Sequence, residues 1–471
     1  MLKTNYPSDV QERYRAIPSV QTLLQWEEIR QAPLHIRYLK RIIQEEIDIL
    51  REKIPVTPSL TAQQIPSRLR GNILHRINQL TQPRLKRVIN ASGIVLHTNM
   101  GRAPLAEVAR RAVQEATENY CNLEINLETG RRGQRMALIE DLLCLLTGAE
   151  AALVVNNCAA AVFLVLNTLS KRREVIVSRG ELVEIGGAFR MPDVMKSSGA
   201  KMVEIGTTNK THLQDYETAI TRKTGAILKV HTSNYRILGF TESVEIETLV
   251  ELAHRHHLPL IYDMGSGVLE DLQQWGFPYE PLAGEMLAKG VDVITFSGDK
   301  VLGGPQAGII LGKKEFLGKI KKNHLTRALR CDKLIYAALE ATLRLYLNPE
   351  QLPETLPVAR MLTTSTERLI RRAQAIQEKL VPTSLDVEVV ETYSQMGSGA
   401  LPLEKIPSVA VQVKAPGISV SRLSKRLRQY SPPIIGYVQD DALLLNLRTV
   451  REDEDEMIVE ALQQIAKSER R

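Results

Sequence analysis

The fold is constrained most by seven short apolar runs, each about the length of a β-strand, between residues 152 and 311. Helix-length segments separate most of these runs. This alternation predicts an α/β fold with a mainly parallel sheet that is covered by helices on both faces. In such sheets, ligands bind beyond the carboxyl ends of the strands. We therefore expect the chemically active residues directly after the runs, which are 152–155, 174–177, 202–205, 226–230, 259–262, 293–296 and 308–311.

The chain is long enough for several domains, because 471 residues exceed what one hydrophobic core usually organises. Residues 1–80 are predicted to form a small, helical, basic domain, residues 81–345 the large α/β domain, and residues 346–471 a smaller α+β domain. Residues 1–90 contain 15 Lys and Arg but only 8 Asp and Glu, an excess of seven that equals the net charge of the whole chain. Such an asymmetry is compatible with nucleic-acid contact at the basic end, but a solvated helical face is the commoner explanation of charge alone.

Cysteine spacing and hydropathy argue against several classes of protein. The four cysteines form no C-x-x-C pair, which argues against a zinc site and against a disulfide framework. The first ten residues lack the apolar segment of a secretory signal. The most apolar stretch, 151–169, is interrupted by Asn156 and Asn157 and predicts a strand, a turn and a helix rather than a membrane span. We expect a soluble, cytoplasmic protein without a metal site.

Three of the apolar runs are followed by residues that suit a phosphorylated cofactor. Asn157, Cys158 and Ala159 lead from the first run into an apolar helix, whose N-terminus offers free N–H groups to a phosphate. Asp263 follows the fifth run, where a carboxylate can pair with a protonated ring nitrogen. Lys300 follows the sixth run within glycine-rich backbone, and burial there would lower its pKa and make the amine a nucleophile.

Each of these signals also has an ordinary structural explanation. A strand–helix turn, an aspartate that caps a turn and a lysine in a surface loop are all common in α/β proteins. Ser297, three residues before Lys300, is placed to reach a phosphate oxygen as well. Together, the order and separation of the phosphate turn, the aspartate and the lysine resemble the layout of fold-type I enzymes, which use pyridoxal 5′-phosphate (PLP).

A narrower resemblance rests on several longer segments. The segment 296–308 reads FSGDKVLGGPQAG, and the other matching segments are RVINASGIVLHTNMGR at 87–102, TGRRG at 129–133, TGAEA at 147–151, VVNN at 154–157 and RALRCDK at 327–333. On these segments the sequence resembles the L-seryl-tRNA(Sec) selenium transferases, also called selenocysteine synthases, over essentially the whole chain. The 296–308 segment is specific for this family and its close relatives. Cys331 stands where an aliphatic residue is expected, a departure with little chemical consequence.

The resemblance implies a role for each matching residue of the site. Lys300 is expected to carry PLP as a Schiff base, with Asp299 beside it as a further site position. Asp263 is expected to pair with the pyridine nitrogen. The residues expected to hold the phosphate are Asn157, Cys158, Ala159 and Ser297. Bidentate Arg–phosphate pairing is strong and directional, and the residues expected to bind the anionic donor, selenophosphate, are Arg102, Arg327 and Arg330.

The implied reaction converts L-seryl-tRNA(Sec) to L-selenocysteinyl-tRNA(Sec). Lys300 would remove the Cα proton, loss of the hydroxyl would leave dehydroalanyl-tRNA, and selenophosphate would then supply selenium. The N-terminal domain is expected to bind the selenocysteine tRNA by its shape and its phosphates, with basic residues at Arg37, Lys40, Arg41, Arg51, Lys53, Arg68, Arg70 and Arg76. The resemblance also implies a homo-oligomer of dimers and suggests a decamer, with contacts between dimers at Thr207, Thr208 and Tyr235.

Two other functions stay open from the sequence. One is a PLP-dependent lyase or aldolase that acts on a small amino acid or an amino sugar phosphate; close relatives of this kind generally lack the basic N-terminal domain. The other is a tRNA-binding protein whose catalytic centre has decayed. The intact residues Lys300, Asp263, Arg327 and Arg330 argue against it. The group that stacks on the PLP ring is not identified, and residues 181–185 are candidates.

Overall fold

Two compact units make up the chain, one up to Arg87 and one from Val88 onwards. The computed structural model describes residues 6–185, 189–401 and 404–469. The predicted boundary at residue 345, inside the second unit, stays a prediction.

Five α-helices lie within residues 6–87, the described part of the N-terminal unit. In the longest of them, the buried residues Leu39, Ile42, Ile43, Ile47 and Leu50 recur every three or four positions, so that one face packs into the core of this unit. The helices are α1 (Ser8–Arg15), α2 (Val20–Leu24), α3 (Glu27–Arg30), α4 (Ile36–Lys53) and α5 (Ile65–Thr81).

The basic side chains of this unit lie mostly on its surface. Among the basic residues predicted to contact tRNA, Arg76 is half-buried, and the exposed ones are Arg37, Lys40, Arg41, Arg51, Lys53, Arg68 and Arg70. Several of them are paired with acids on the same surface: Arg41 lies 2.8 Å from Glu45, and Arg51 lies 3.2 Å from Asp48. Exposed pairs of this kind contribute little to stability, so these cations are free to exchange their partners for an external anion.

A seven-stranded sheet forms the centre of the second unit. Its strands are β1 (Ala151–Val155), β2 (Glu174–Ser178), β3 (Lys201–Ile205), β4 (Thr224–Val230), β5 (Leu260–Gly265), β6 (Val293–Ser297) and β7 (Gly308–Gly312). Their order across the sheet is β1-β7-β6-β5-β4-β2-β3. Strand β7 runs antiparallel to both of its neighbours, β1 and β6, and the other neighbouring pairs are parallel. The predicted α/β fold with a mainly parallel sheet is confirmed, and every predicted run belongs to this sheet.

Helices on the two faces bury this sheet, and all five positions of β1, β6 and β7 are buried. Because both faces are covered, these strands are apolar throughout rather than alternating. The helices in this part of the chain are α6 (Glu107–Glu118), α7 (Glu140–Thr147), α8 (Cys158–Leu169), α9 (Met191–Ser197), α10 (Leu213–Ala219), α11 (Ile246–Arg255), α12 (Ala283–Ala288), α13 (Lys314–Lys321), α14 (Leu325–Leu329) and α15 (Lys333–Leu345).

A second, antiparallel sheet lies near the C-terminus. Its strands are β8 (Asp386–Ser394), β9 (Ile406–Lys414), β10 (Tyr437–Gln439) and β11 (Ala442–Asn446), in the order β8-β9-β11-β10. It packs with helices into a separate hydrophobic core that includes Leu369, Val411, Leu445 and Leu462. The helices of this part are α16 (Leu352–Thr355), α17 (Pro357–Thr363), α18 (Thr366–Leu380), α19 (Val420–Gln429) and α20 (Asp455–Glu469).

The segment before helix α6 connects the C-terminal sheet to the edge of the large sheet. Residues Ile89–Asn90 pair in parallel with Ile434–Ile435. Farther along, the N–H of Leu96 donates to the Met396 carbonyl at 2.7 Å. This path delivers residues 97–102 to the carboxyl ends of the large sheet. None of the helices in the described part of the chain is both long enough and apolar enough to cross a membrane.

Candidate active site

The carboxyl ends of strands β1, β5 and β6 bring the predicted cofactor residues together. Across β5 and β6, Asp263 is the register partner of Thr295, and across β6 and β7, Ser297 is the partner of Gly308. Gly308 is also opposite Val155 on β1, directly before the predicted phosphate turn. The carboxyl ends of β1, β5 and β6 therefore meet at one edge, as the sequence predicts.

Asp263 is a buried carboxylate at this edge, with 6% of its surface exposed. Its Oδ1 accepts hydrogen bonds from the Thr295 hydroxyl at 2.9 Å and from the Cys158 thiol at 3.4 Å. Burial raises the pKa of Asp263, because the charged form loses its water, whereas these hydrogen bonds and the nearby Lys300 lower it.

Lys300 lies in the tight connection between β6 and β7 and is only 4% exposed. The Gly298 N–H donates to the Ala307 carbonyl at 2.8 Å, and the Gly303 N–H donates to the carbonyl of Lys300 at 2.9 Å, which closes the turn. Burial lowers the pKa of Lys300, while the negative charge of Asp263 opposes this shift. A larger fraction of the amine is therefore neutral than in a lysine exposed to water.

Gly265 leaves space in front of the amine. A Cβ atom added at Gly265 would lie 4.0 Å from Lys300 Nζ and 3.2 Å from the Ser233 hydroxyl. Gly265 also adopts a φ of +68°, a conformation that L-residues rarely take. The absent side chain keeps open the volume between the two groups.

The predicted phosphate turn begins helix α8. Asn157 caps this helix: its side-chain oxygen accepts a hydrogen bond from the Ala160 N–H at 2.8 Å. Cys158 and Ala159 are the first two helical residues, whose N–H groups have no acceptor within a helix. Ser297 contacts the Cys158 thiol, so it lies at the same helix end. The four residues predicted to hold a phosphate are thus close to one another.

Gly308 allows this close approach. A Cβ atom at Gly308 would overlap the backbone carbonyl of Asn157, which cannot move without displacing the start of helix α8. We expect Gly308→Ala to lower the free energy of unfolding by about 3 kcal/mol, as overpacking in a core does, and to weaken PLP binding. Urea denaturation monitored by circular dichroism and a PLP titration would measure the two effects.

Gly318→Ala is the matched control for this substitution. Gly318 lies inside helix α13 and has open space where a Cβ atom would be added. Alanine there is expected to be neutral or to stabilise by up to about 1 kcal/mol, because it favours the helix. Equal stabilities of the two variants would contradict the close approach at Gly308.

Arg102 reaches the lysine turn from the segment before helix α6. Its Nη1 donates to Asp299 Oδ2 at 2.7 Å, across 197 residues of sequence. Arg102 has a φ of +62°, a strained conformation for a residue with a side chain, and its N–H donates to the His97 carbonyl at 3.1 Å. Strain of this kind concentrates at functional sites, where the surrounding structure enforces it. The predicted positions Arg102 and Asp299 thus form one ion pair beside Lys300.

The other two predicted arginines lie next to the phosphate turn. Arg327 is exposed on helix α14, and Arg330 follows the end of this helix. The Asn156 N–H donates to the Leu329 carbonyl at 2.9 Å, so this segment is tied to the end of β1. The segment that carries both arginines is therefore held beside the predicted phosphate turn.

Glu124 is the carboxylate that pairs with the arginines near the phosphate turn. Arg135 Nε donates to it at 2.8 Å, Arg132 donates at 3.1 Å, and Arg330 forms an ion pair at 3.6 Å. The hydrogen bonds from Arg135 and then Arg132 lower the pKa of Glu124. One carboxylate thus faces three guanidinium groups, which leaves a surplus of positive charge for an anionic ligand.

A family model described as L-seryl-tRNA selenium transferase matches residues 88–451 of this chain. The chain belongs to this family. A relative from Alkaliphilus oremlandii named L-seryl-tRNA(Sec) selenium transferase is 51% identical over 81% of this chain and 82% of its own length. One of the same name from Clostridium botulinum is 45% identical over 98% of this chain and 100% of its own length. The resemblance found in the sequence is confirmed.

Solved structures confirm the fold. The structure of D-glucosaminate-6-phosphate ammonia-lyase superimposes with a TM-score of 0.57 at 22% identity, and the match covers 83% of this chain and 98% of that one. The large unit of this L-seryl-tRNA selenium transferase family member therefore has the predicted fold-type I architecture.

Sequence reasoning missed two residues that contact the predicted site of this family member. Thr295 donates a hydrogen bond to Asp263. Thr295 and Ser297 are two positions apart in one strand, so their side chains lie on the same face, and this spacing could have indicated Thr295. Glu124 lies in a loop and contacts Arg330, which is 206 positions later in the chain. No local pattern indicates that pairing.

A cavity of about 550 Å³ lies beside strand β4, and its lining includes Glu181, Lys229, His231 and Thr208. Glu181, one of the candidates for stacking on the cofactor, pairs with Lys229 at 2.6 Å and accepts the Val230 N–H at 3.0 Å. Its carboxylate therefore has partners on β4. Residues 186–188 lie outside the described residues.

Proposed function

We propose that this protein converts L-seryl-tRNA(Sec) to L-selenocysteinyl-tRNA(Sec), with PLP as cofactor and selenophosphate as selenium donor. The proposal is carried by 45% identity to a relative named L-seryl-tRNA(Sec) selenium transferase over 98% of this chain. A match of that length spans the N-terminal unit as well as the larger one. Burial of Lys300 and Asp263 at the same sheet edge supports it.

The residues of this edge fit PLP. A buried amine at Lys300 is suited to bind an aldehyde covalently, and the buried carboxylate of Asp263 to pair with a pyridinium nitrogen. The start of helix α8 with Ser297 is suited to the phosphate. The space left by Gly265 lies between the strand ends that carry these groups.

PLP, when bound, supplies an electron sink that makes the Cα proton of an attached seryl group acidic. Lys300 is the base that takes this proton, because its burial favours the neutral amine. The same amine then returns the proton to the departing β-hydroxyl, which leaves as water. Selenium bonds to that β-carbon, and Cα takes up the proton that selenophosphate loses. Water then cleaves the bond between selenium and phosphorus, which leaves a selenol and phosphate.

The arginines provide the binding site for the donor. Selenophosphate is an anion, and the surplus guanidinium charge around Glu124 attracts it to the edge of the pocket. Arg327 and Arg330 bind it there, while Arg102 is oriented by Asp299 on the side of Lys300. The donor is thereby held near the carbon from which the hydroxyl has left.

The exposed cations of the N-terminal unit bind the phosphates of the selenocysteine tRNA. We also propose a homo-oligomer built of dimers, with a decamer as its full assembly and Thr207, Thr208 and Tyr235 at contacts between dimers. The protein acts in the cytoplasm, the compartment in which aminoacyl-tRNAs are used.

The test is the amino acid released from the tRNA after the full-length protein is incubated with PLP, selenophosphate and seryl-tRNA(Sec). Selenocysteine is expected on tRNA(Sec) and not on seryl-tRNA(Ser), which serves as the matched control. Conversion of both tRNAs would contradict recognition of the selenocysteine tRNA. Absence of conversion, with PLP bound, would contradict the whole reaction.

The two alternative functions are not favoured. The relatives at 45% and 51% identity are named as selenium transferases, whereas the likeness to the ammonia-lyase, at 22% identity, concerns the fold. A decayed centre does not agree with a buried lysine next to a buried aspartate, because burying unneeded charged groups is costly.

A further inference from the structure

Two side chains donate hydrogen bonds to the same oxygen of Asp263. The Thr295 hydroxyl lies 2.9 Å from Oδ1, and the Cys158 thiol lies 3.4 Å from this same atom. Neither of them bonds to Oδ2. The backbone N–H of Gly265 is a further donor to this carboxyl group. The two side chains fix Oδ1, and rotation of the carboxyl group about the Cβ–Cγ bond is restricted.

The position of Thr295 is determined by the sheet. It is the register partner of Asp263 on the neighbouring parallel strand, and its side chain is fully buried. A buried hydroxyl group needs a hydrogen-bond partner, and the partner of this hydroxyl is the carboxylate of Asp263. Thr295 is not among the residues to which the sequence or the proposed reaction gives a role.

Burial opposes the charged form of Asp263, and hydrogen bonds to the carboxylate oppose that effect. A hydrogen bond to a charged group is roughly twice as strong as one between neutral groups. The hydroxyl at 2.9 Å is a better donor than the thiol at 3.4 Å, because S–H groups donate weakly. Thr295 is therefore the stronger of the two anchors.

We propose that Thr295, assisted by the thiol of Cys158, is a positioning residue for the cofactor. It holds Oδ1 of Asp263, opposes the rise in the pKa of this carboxyl group that burial causes, and fixes the orientation in which the carboxylate would pair with the pyridine nitrogen of PLP. Neither Thr295 nor the thiol touches the reacting atoms; both act through Asp263. This inference rests on the proposed use of PLP and extends it to two groups behind the aspartate.

The test compares Thr295→Val with Thr295→Ser in the full-length protein. Valine keeps the shape of threonine and loses the hydroxyl, whereas serine keeps the hydroxyl and loses the methyl group. We expect Thr295→Val to raise the dissociation constant of PLP about tenfold and to shift the absorption spectrum of bound PLP. Thr295→Ser is expected to stay within about twofold of the unmodified protein, since the charge-assisted hydrogen bond remains.

A purely structural role of Thr295 predicts the opposite order, because serine would leave a cavity and valine would not. Unchanged PLP affinity in Thr295→Val, or weaker binding in Thr295→Ser than in Thr295→Val, would overturn the proposal. If the unmodified protein does not bind PLP, the proposed cofactor is wrong, and this inference is wrong with it. If the unmodified protein binds PLP but the two variants differ from the expected order, only the role of Thr295 is wrong, and the proposed function is unaffected.

Two further variants complete the design. Thr342→Val is the matched control, because Thr342 is equally buried and its hydroxyl donates only to the Ala338 carbonyl of its own helix, at 2.8 Å. It is expected to leave PLP affinity unchanged. Cys158→Ala removes the weaker donor and is expected to weaken PLP binding about twofold. Cys158→Ala also tests the proposal if Thr295→Val does not fold. An unchanged affinity of Cys158→Ala for PLP would contradict the assistance that we assign to the Cys158 thiol.

Discussion

Lys300→Ala is expected to reduce selenocysteine formation by at least about 1,000-fold, because it removes both the group that holds the cofactor and the base that takes the Cα proton. The substitution also leaves the charge of Asp263 without the nearby amine that lowers its pKa. The measurement is single-turnover conversion of seryl-tRNA(Sec) with saturating selenophosphate. A second readout is protein mass after borohydride treatment, which fixes PLP to a lysine: the unmodified protein gains the mass of PLP and the variant does not.

Lys319→Ala is the control for this prediction. Lys319 lies on the surface of helix α13 and pairs with Glu315 at 2.7 Å, four residues earlier in the same helix. Its loss is expected to change neither the rate nor the mass gain. Residual activity of Lys300→Ala above about one per cent would show that another group acts as the base.

Replacing Arg327 and Arg330 together with alanine is expected to raise the KM for selenophosphate about 100-fold, because two charge-assisted contacts to one anion are lost. The KM for seryl-tRNA(Sec) is expected to change much less. Initial rates over a range of donor concentrations would measure both constants. A large fall in kcat at an unchanged donor KM would contradict a role in donor binding.

Arg344→Ala provides a matched surface substitution. Arg344 is exposed on helix α15 and pairs with Glu340 at 2.7 Å, one turn earlier. Neither KM is expected to change in this variant. An equal rise of the donor KM in Arg344→Ala would show that general surface charge, rather than the two arginines beside the phosphate turn, attracts the anion.

Local sequence patterns were sufficient for the outline of the fold, and they predict Asp263 and Lys300 as the centre of the candidate site. The apolar runs predict strands because a strand buried on both faces needs a continuous apolar segment. Asp263 and Lys300 were found because they follow such runs, and parallel strands in a right-handed βα arrangement end at a common edge. Their burial in the structure agrees with this reasoning. The resemblance added the arginines, which periodicity alone would have assigned to an exposed helix.

The contacts that orient Asp263 and Lys300 could not be predicted from local sequence patterns. The bond between Thr295 and Asp263 depends on the register of two strands, and a shift of one residue would point Thr295 to the other face. The reversed direction of β7 and the overlap that Gly308 avoids depend on how the strands pack against helix α8.

The amino-acid sequence is thus enough to specify which elements form and which residues follow them, since periodicity and turn chemistry act over a few positions. The pairing of Arg102 with Asp299, across 197 residues, and of Glu124 with Arg330 arises only when distant segments pack together. Such contacts depend on side-chain direction and strand register throughout the unit, and no local pattern encodes either.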